Sequence, residues 1–275
     1  MNSGSEGGVL QIEGENGRDS GKQTTMTFLP CTKEVIGRAE ELSGKPVRIV
    51  EDPALAMISR HRLARRQMPT HILWYRNVSG LSPDYSICFE CGFIIRTYLN
   101  PSDQRFGLAP SHDASKEIRS LLRRFPEASK VWDLIRDTVL MHLYSVPIGL
   151  RVDEWLSGNY PQLRSDQVAC AQIQLRNNLL AMSPEDRRWL PEKLFKWNTA
   201  INAAFAVYWA ESLDDSSIVR PFQSLGFVPQ GEALIRTFRR VGNAPTEDCR
   251  LVDAWAAELG LSEWYQWVSL NSRHW

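Results

Sequence analysis

The chain has no excess charge: 32 Lys and Arg balance 32 Asp and Glu over 275 residues. That excludes the strongly basic make-up of a general nucleic-acid binder and the acidic tail of a charge-driven partner. No apolar run reaches the roughly 20 residues that a spanning helix requires. The best stretch, Ala200–Ala210, is short and contains Asn202. A basic start, apolar centre and small-residue cleavage site are missing at the N-terminus, so a soluble, cytosolic protein without membrane contact is expected. Cysteine is scarce, and the five residues Cys31, Cys88, Cys91, Cys170 and Cys249 are scattered. An odd, dispersed set suits reduced thiols better than a disulfide framework. Walker A, G-x-G-x-x-G and G-x-S-x-G patterns are all absent, which removes sequence support for a nucleotide loop or a serine nucleophile elbow.

What is present is ordinary globular material, with 43% hydrophobic and 10% aromatic residues. Residues 1–25 hold six of the 17 glycines and few apolar residues, so this segment is expected to be disordered. Residues 26–105 read as a small α/β core and 106–275 as a helical region, giving an α+β chain that is mostly α. Thr32 is the expected N-cap of a first helix whose apolar stripe is Val35, Ile36, Ala39 and Leu42, with Gly44 at its C-cap. Val47–Val50, Met57–Ala64 and His71–Tyr75 read as strands, the last carrying the densest aromatic and branched content. A helix from about Ser82 to Leu99 follows, with Pro83 and Asp84 suited to its first turn.

Beyond Pro101 the pattern is almost wholly helical, with helices expected over 114–124, 126–145, 153–157, 165–182, 191–210, 232–240 and 247–259. Nine of the ten Trp lie in this half, and most are expected to be anchors of a core or interface. The closing run Glu263-Trp-Tyr-Gln-Trp-Val reads as a further helix docking back on the core, with a partner-binding segment as the alternative.

The chemical signature is Tyr85-Ser-Ile-Cys-Phe-Glu-Cys-Gly-Phe-Ile-Ile-Arg96. At helical spacing Phe89, Glu90 and Phe93 share the face opposite Ile87, Cys91, Ile94 and Tyr98. In His-Glu-x-x-His peptidases two His hold zinc from one helix face and the Glu polarises the metal-bound water. Here the Glu stands between two Phe. The order of capped helix, strands, His-Ile-Leu-Trp-Tyr strand, Gly/Pro loop and this helix resembles the zincin core of small bacterial ImmA/IrrE-type metallopeptidases, over roughly Thr32–Arg105. The resemblance implies that Phe89 and Phe93 occupy the two zinc-ligand positions and that Glu90 is a vestigial general base. Phe offers no lone pair, so no zinc or other cofactor is expected there. It also implies a third ligand further along, with Asp133, Asp137 and His142 as candidates.

A catalytically inactive, metallopeptidase-like protein that binds a protein or peptide is therefore expected, with the two Phe making that cleft partly apolar. Flanked by rings, Glu90 should be disfavoured as a charge unless a basic partner such as Arg96 compensates. One alternative is an active metal-dependent hydrolase or peptidase with zinc held by Cys88 and Cys91 together with His or acid residues. Another is a DNA-associated regulator or phage-defence component that uses the basic cluster Arg60, Arg62, Arg65 and Arg66. The sequence leaves the oligomeric state open.

Overall fold

The computed structural model describes residues 27–64, 67–112, 116, 120, 132–183, 187 and 191–271, with the side chains of 132–137 left out. The expected disorder of 1–25, the residues Arg65 and Arg66, and most of the expected helix 114–124 lie outside the described residues. The fold is α+β and mostly helical.

Helix α1 (Pro30–Ser43) begins with Pro30, which needs no intrahelical N–H partner at that position. Thr32 is not its cap. The Thr32 hydroxyl instead donates to Asp84 Oδ1 at 2.6 Å, and the same oxygen accepts the Leu29 N–H at 2.9 Å. A carboxylate distant in sequence thus does the work expected of a local hydroxyl, and it ties α1 to the helix that bears Asp84. Gly44 ends α1 at φ +66°, where its N–H reaches Glu40 O; this left-handed geometry favours glycine.

Strands β1 (Val47–Glu51), β2 (Ser59–Arg62) and β3 (His71–Tyr75) form a sheet in the order β1-β3-β2. β1 runs parallel and β2 antiparallel to the central β3. Period-2 alternation buries His71, Leu73 and Tyr75 and leaves Ile72 and Trp74 half-exposed on the other face. Helix α2 (Asp84–Leu99) follows, and its side chains from Asp84 to Thr97 are buried except for the half-buried Phe89.

Two expectations for the second half are corrected. Phe106–Pro110, outside the expected helices, is a strand, β4, and its antiparallel partner β5 (Tyr265–Ser269) stands where the closing helix was expected. Gly107 and Pro110 are poor helix formers, and Tyr265-Gln-Trp-Val alternates as a strand does. The described part of the expected helix 126–145 and the expected helix 153–157 are one element, α3 (Trp132–Asn159), which continues through Pro147, while 126–131 lie outside the described residues. A proline forfeits one helical hydrogen bond but need not end a helix whose two flanks are packed.

The remaining helices are α4 (Arg164–Leu180), α5 (Glu192–Leu213), α6 (Arg220–Ser224), α7 (Val228–Arg240) and α8 (Asp248–Leu259). One cluster of buried apolar side chains runs from Val35 of α1 through Ile94 of α2, Leu143 of α3 and Ile201 of α5 to Trp255 and Trp264. Trp197 and Trp264 meet edge-on with ring centres 4.3 Å apart, one of the anchors expected from the tryptophan content. A second cluster gathers Ala171, Phe195, Trp209 and Phe222. Helices α2 and α3 touch through glycines: a Cβ on Gly92 would overlap Val152 Cγ1, and one on Gly149 would sit 3.0 Å from Phe89 Cζ. Among the described residues, no helix is long and apolar enough to cross a membrane.

Candidate functional site

The alternation of β2 points Ser59 and His61 inward and Arg60 and Arg62 outward. Glu90, only 6% exposed, meets the inward pair. Its Oε1 accepts from Ser59 Oγ at 2.7 Å, and its Oε2 lies 2.6 Å from His61 Nδ1. An ionised carboxylate only accepts, so Nδ1 carries the proton. Ser59 spends its single hydroxyl proton on the carboxylate, so the trio lacks the serine-to-imidazole bond of a nucleophilic triad. Ser59 and the part played by His61 were not foreseen. Their only signal was a Ser-x-His spacing in a strand beside a helix bearing a lone acid.

Arg96 is not the partner of Glu90. Its guanidinium donates to Asp248 at 2.9 and 2.7 Å, and Arg151 joins the same carboxylate at 3.2 Å. At helical spacing Arg96 falls away from Glu90 and faces α8, which bears Asp248. The compensation for Glu90 comes from the sheet.

Phe89 and Phe93 pack at 5.4 Å, and Phe93 lies 5.3 Å from the His61 ring. Gly149 of α3 receives the edge of Phe89. The expected apolar cleft between these rings is filled by packing, since Phe93 is 5% exposed.

The other candidate ligands are dispersed. Cys88 and Cys91 are fully buried. Burial pushes the Cys88 thiol up to about 12 and the Cys91 thiol well above its ordinary value, which disfavours the thiolate that binds metal. His142 faces Asn198 at 2.9 Å, and burial lowers its pKa. The side chains of Asp133 and Asp137 lie outside the described residues. Among the described residues no group of three His, Cys, Asp or Glu is placed to hold a metal ion.

The basic cluster splits. Arg60 and Arg62 flank Trp74 on the outer sheet face, at 4.6 and 5.5 Å from its ring centre. Arg65 and Arg66 lie outside the described residues.

A second buried polar network joins three elements. Tyr85 donates to Asp153 Oδ1 at 2.6 Å, and Gln167 Nε2 donates to the same oxygen and to the Asp153 carbonyl, both at 2.9 Å. Burial raises Asp153 to about 6 despite these donors. His71 accepts the Ala64 N–H on Nδ1 at 3.0 Å, and burial, with Lys45 and His61 nearby, lowers it to about 4.

Comparison with protein-family models, curated proteins and solved structures finds no match to this chain.

Proposed function

We propose that the chain is a catalytically inactive, metallopeptidase-like protein that works by binding a protein or peptide. The observation that supports this most is the condition of Glu90. A hydrolytic base must reach a water molecule, whereas this carboxylate is buried and turned onto Ser59 and His61. The flanking Phe89 and Phe93 offer no electron pair to a metal.

In this reading the binding surface is the outer edge of β2, which pairs with no strand but β3 among the described residues. Ile58 O accepts the Arg76 N–H, so by antiparallel alternation the backbone groups of Ser59 and His61 face away from β3. Such an edge can take an added strand. Arg60 and Arg62, exposed and stacked on Trp74, select an extended acidic segment by charge.

The test is fluorescence anisotropy with a library of extended Asp- and Glu-rich peptides, run beside a hydrolysis assay. Binding without cleavage is expected, with Arg60→Glu weakening it on the order of tenfold. Cleavage that Glu90→Gln abolishes would overturn the reading.

A further inference from the structure

Along β2, Ser59 and His61 lie opposite Tyr75 and Leu73, while Arg60 and Arg62 lie opposite Trp74 and Ile72. The backbone groups of Ser59 and His61 point to the outer edge, so a strand added there hydrogen-bonds to those two residues. Its side chains alternate between the two faces of the sheet in step with those of β2. Arg60 and Arg62 stand roughly 7 Å apart along their strand. Side chains i and i+2 of an extended partner have the same spacing and share one face.

The two faces of β2 differ in charge. On the outer face the strand positions are Arg48 and Val50 of β1, Ile72 and Trp74 of β3, and Arg60 and Arg62 of β2, with no acid among them. Among the described residues the side chains of Arg60 and Arg62 make no ion pair or hydrogen bond. Both guanidinium groups lie on the Trp74 ring, at 4.6 and 5.5 Å from its centre. That contact holds them on the outer face, so less freedom is lost when they meet a carboxylate. On the inner face Glu90 lies against Ser59 and His61. An acid of the added strand is thus attracted on the outer face and repelled on the inner one.

A second copy of the chain is a poor occupant of this edge. Pairing two β2 strands antiparallel through Ser59 and His61 sets Arg60 of one copy against Arg60 or Arg62 of the other. Like charges directly opposite one another destabilise such a pair.

Resting on the reading of the β2 edge as the binding surface, we propose that the segment it takes carries an acid-x-acid pattern. Two Asp or Glu side chains stand on the outer face opposite Arg60 and Arg62. The residue between them is not acidic, and it lies on the face of Ser59 and His61.

Fluorescence anisotropy of the full chain with three labelled peptides tests this. Each peptide holds two Glu in the same Thr, Val and Gln background, spaced i,i+1, i,i+2 or i,i+3, so that composition and net charge are equal. The i,i+2 peptide should bind about tenfold more tightly than the other two. Arg60→Gln and Arg62→Gln should each remove that preference. Arg48→Gln, two strands from the edge, should leave it intact. Both β2 side chains are exposed, and melting curves confirm that the variants fold. Equal binding of all three peptides leaves the edge reading standing and overturns the register. A preference that survives Arg60→Gln and Arg62→Gln also overturns it. Binding of none of the three overturns both readings.

Discussion

Gly149 of α3 faces Phe89 of α2 so closely that a Cβ would stand 3.0 Å from Phe89 Cζ. Three residues along α2 from Phe89, the roles reverse and Gly92 receives Val152. The glycine of the Phe-Glu-Cys-Gly-Phe segment is thereby accounted for by helix packing alone.

Gly92→Ala should therefore destabilise the chain. Helix propensity favours alanine by about 1 kcal/mol, but overpacking against Val152 costs about 1–3 kcal/mol. Val152→Ala should restore part of the loss in the double variant. Urea denaturation checks both, and a more stable Gly92→Ala would show that the helices separate at no cost.

Glu90→Gln keeps the shape of the side chain but gives it one acceptor and one donor group where Ser59 and His61 meet two acceptors. The amide oxygen can still accept the His61 Nδ1–H, while the amide nitrogen donates to Ser59, whose hydroxyl turns to accept and gives up its own bond to the carboxylate. A loss of about 1 kcal/mol is expected, with Ser59→Ala similar and the double variant less than additive. Equal or greater stability in Glu90→Gln would mean that the carboxylate carries an uncompensated burial cost.

Acid stability carries two opposing contributions. The Asp153 carboxyl is raised by burial from 3.8 to about 6, so the native state holds its proton more tightly than the unfolded chain. Its contribution is complete below pH 3.8 and disappears as pH rises through about 6. The shift corresponds to roughly 3 kcal/mol. Asp153→Asn should remove this term and steepen the loss of stability on acidification between pH 6 and 4.

His71 acts in the other direction. Burial lowers it from 6.5 to about 4, so the native state favours the neutral ring. Its contribution is present above pH 6.5 and is lost as pH falls through about 4. His71→Asn preserves an acceptor for the Ala64 N–H and should flatten the acid limb of a stability–pH curve. An unchanged limb would mean that His71 titrates alike in the folded and unfolded chain.

Much of the α/β core was legible because its signals are local. The strand His71–Tyr75 shows in branched and aromatic content, and Gly44 marks the end of α1. The β4–β5 pair was not legible, since its strands are joined only across more than 150 residues and neither has enough length to declare itself. The same holds for the site. Phe89, Glu90 and Phe93 stand out as a pattern, whereas Ser59 and His61 acquire meaning only when β2 is laid against α2. The partner of Arg96 was equally out of reach, because Asp248 comes from the far end of the chain.

We propose that Phe89 and Phe93, which offer no electron pair, keep zinc from the Glu90 face of α2. Elemental analysis of protein purified without chelator, followed by assay for peptide hydrolysis, tests it most directly. Zinc far below one atom per chain and no hydrolysis are expected. About one zinc per chain, lost together with peptidase activity on mutating Cys88 or Cys91, would contradict it.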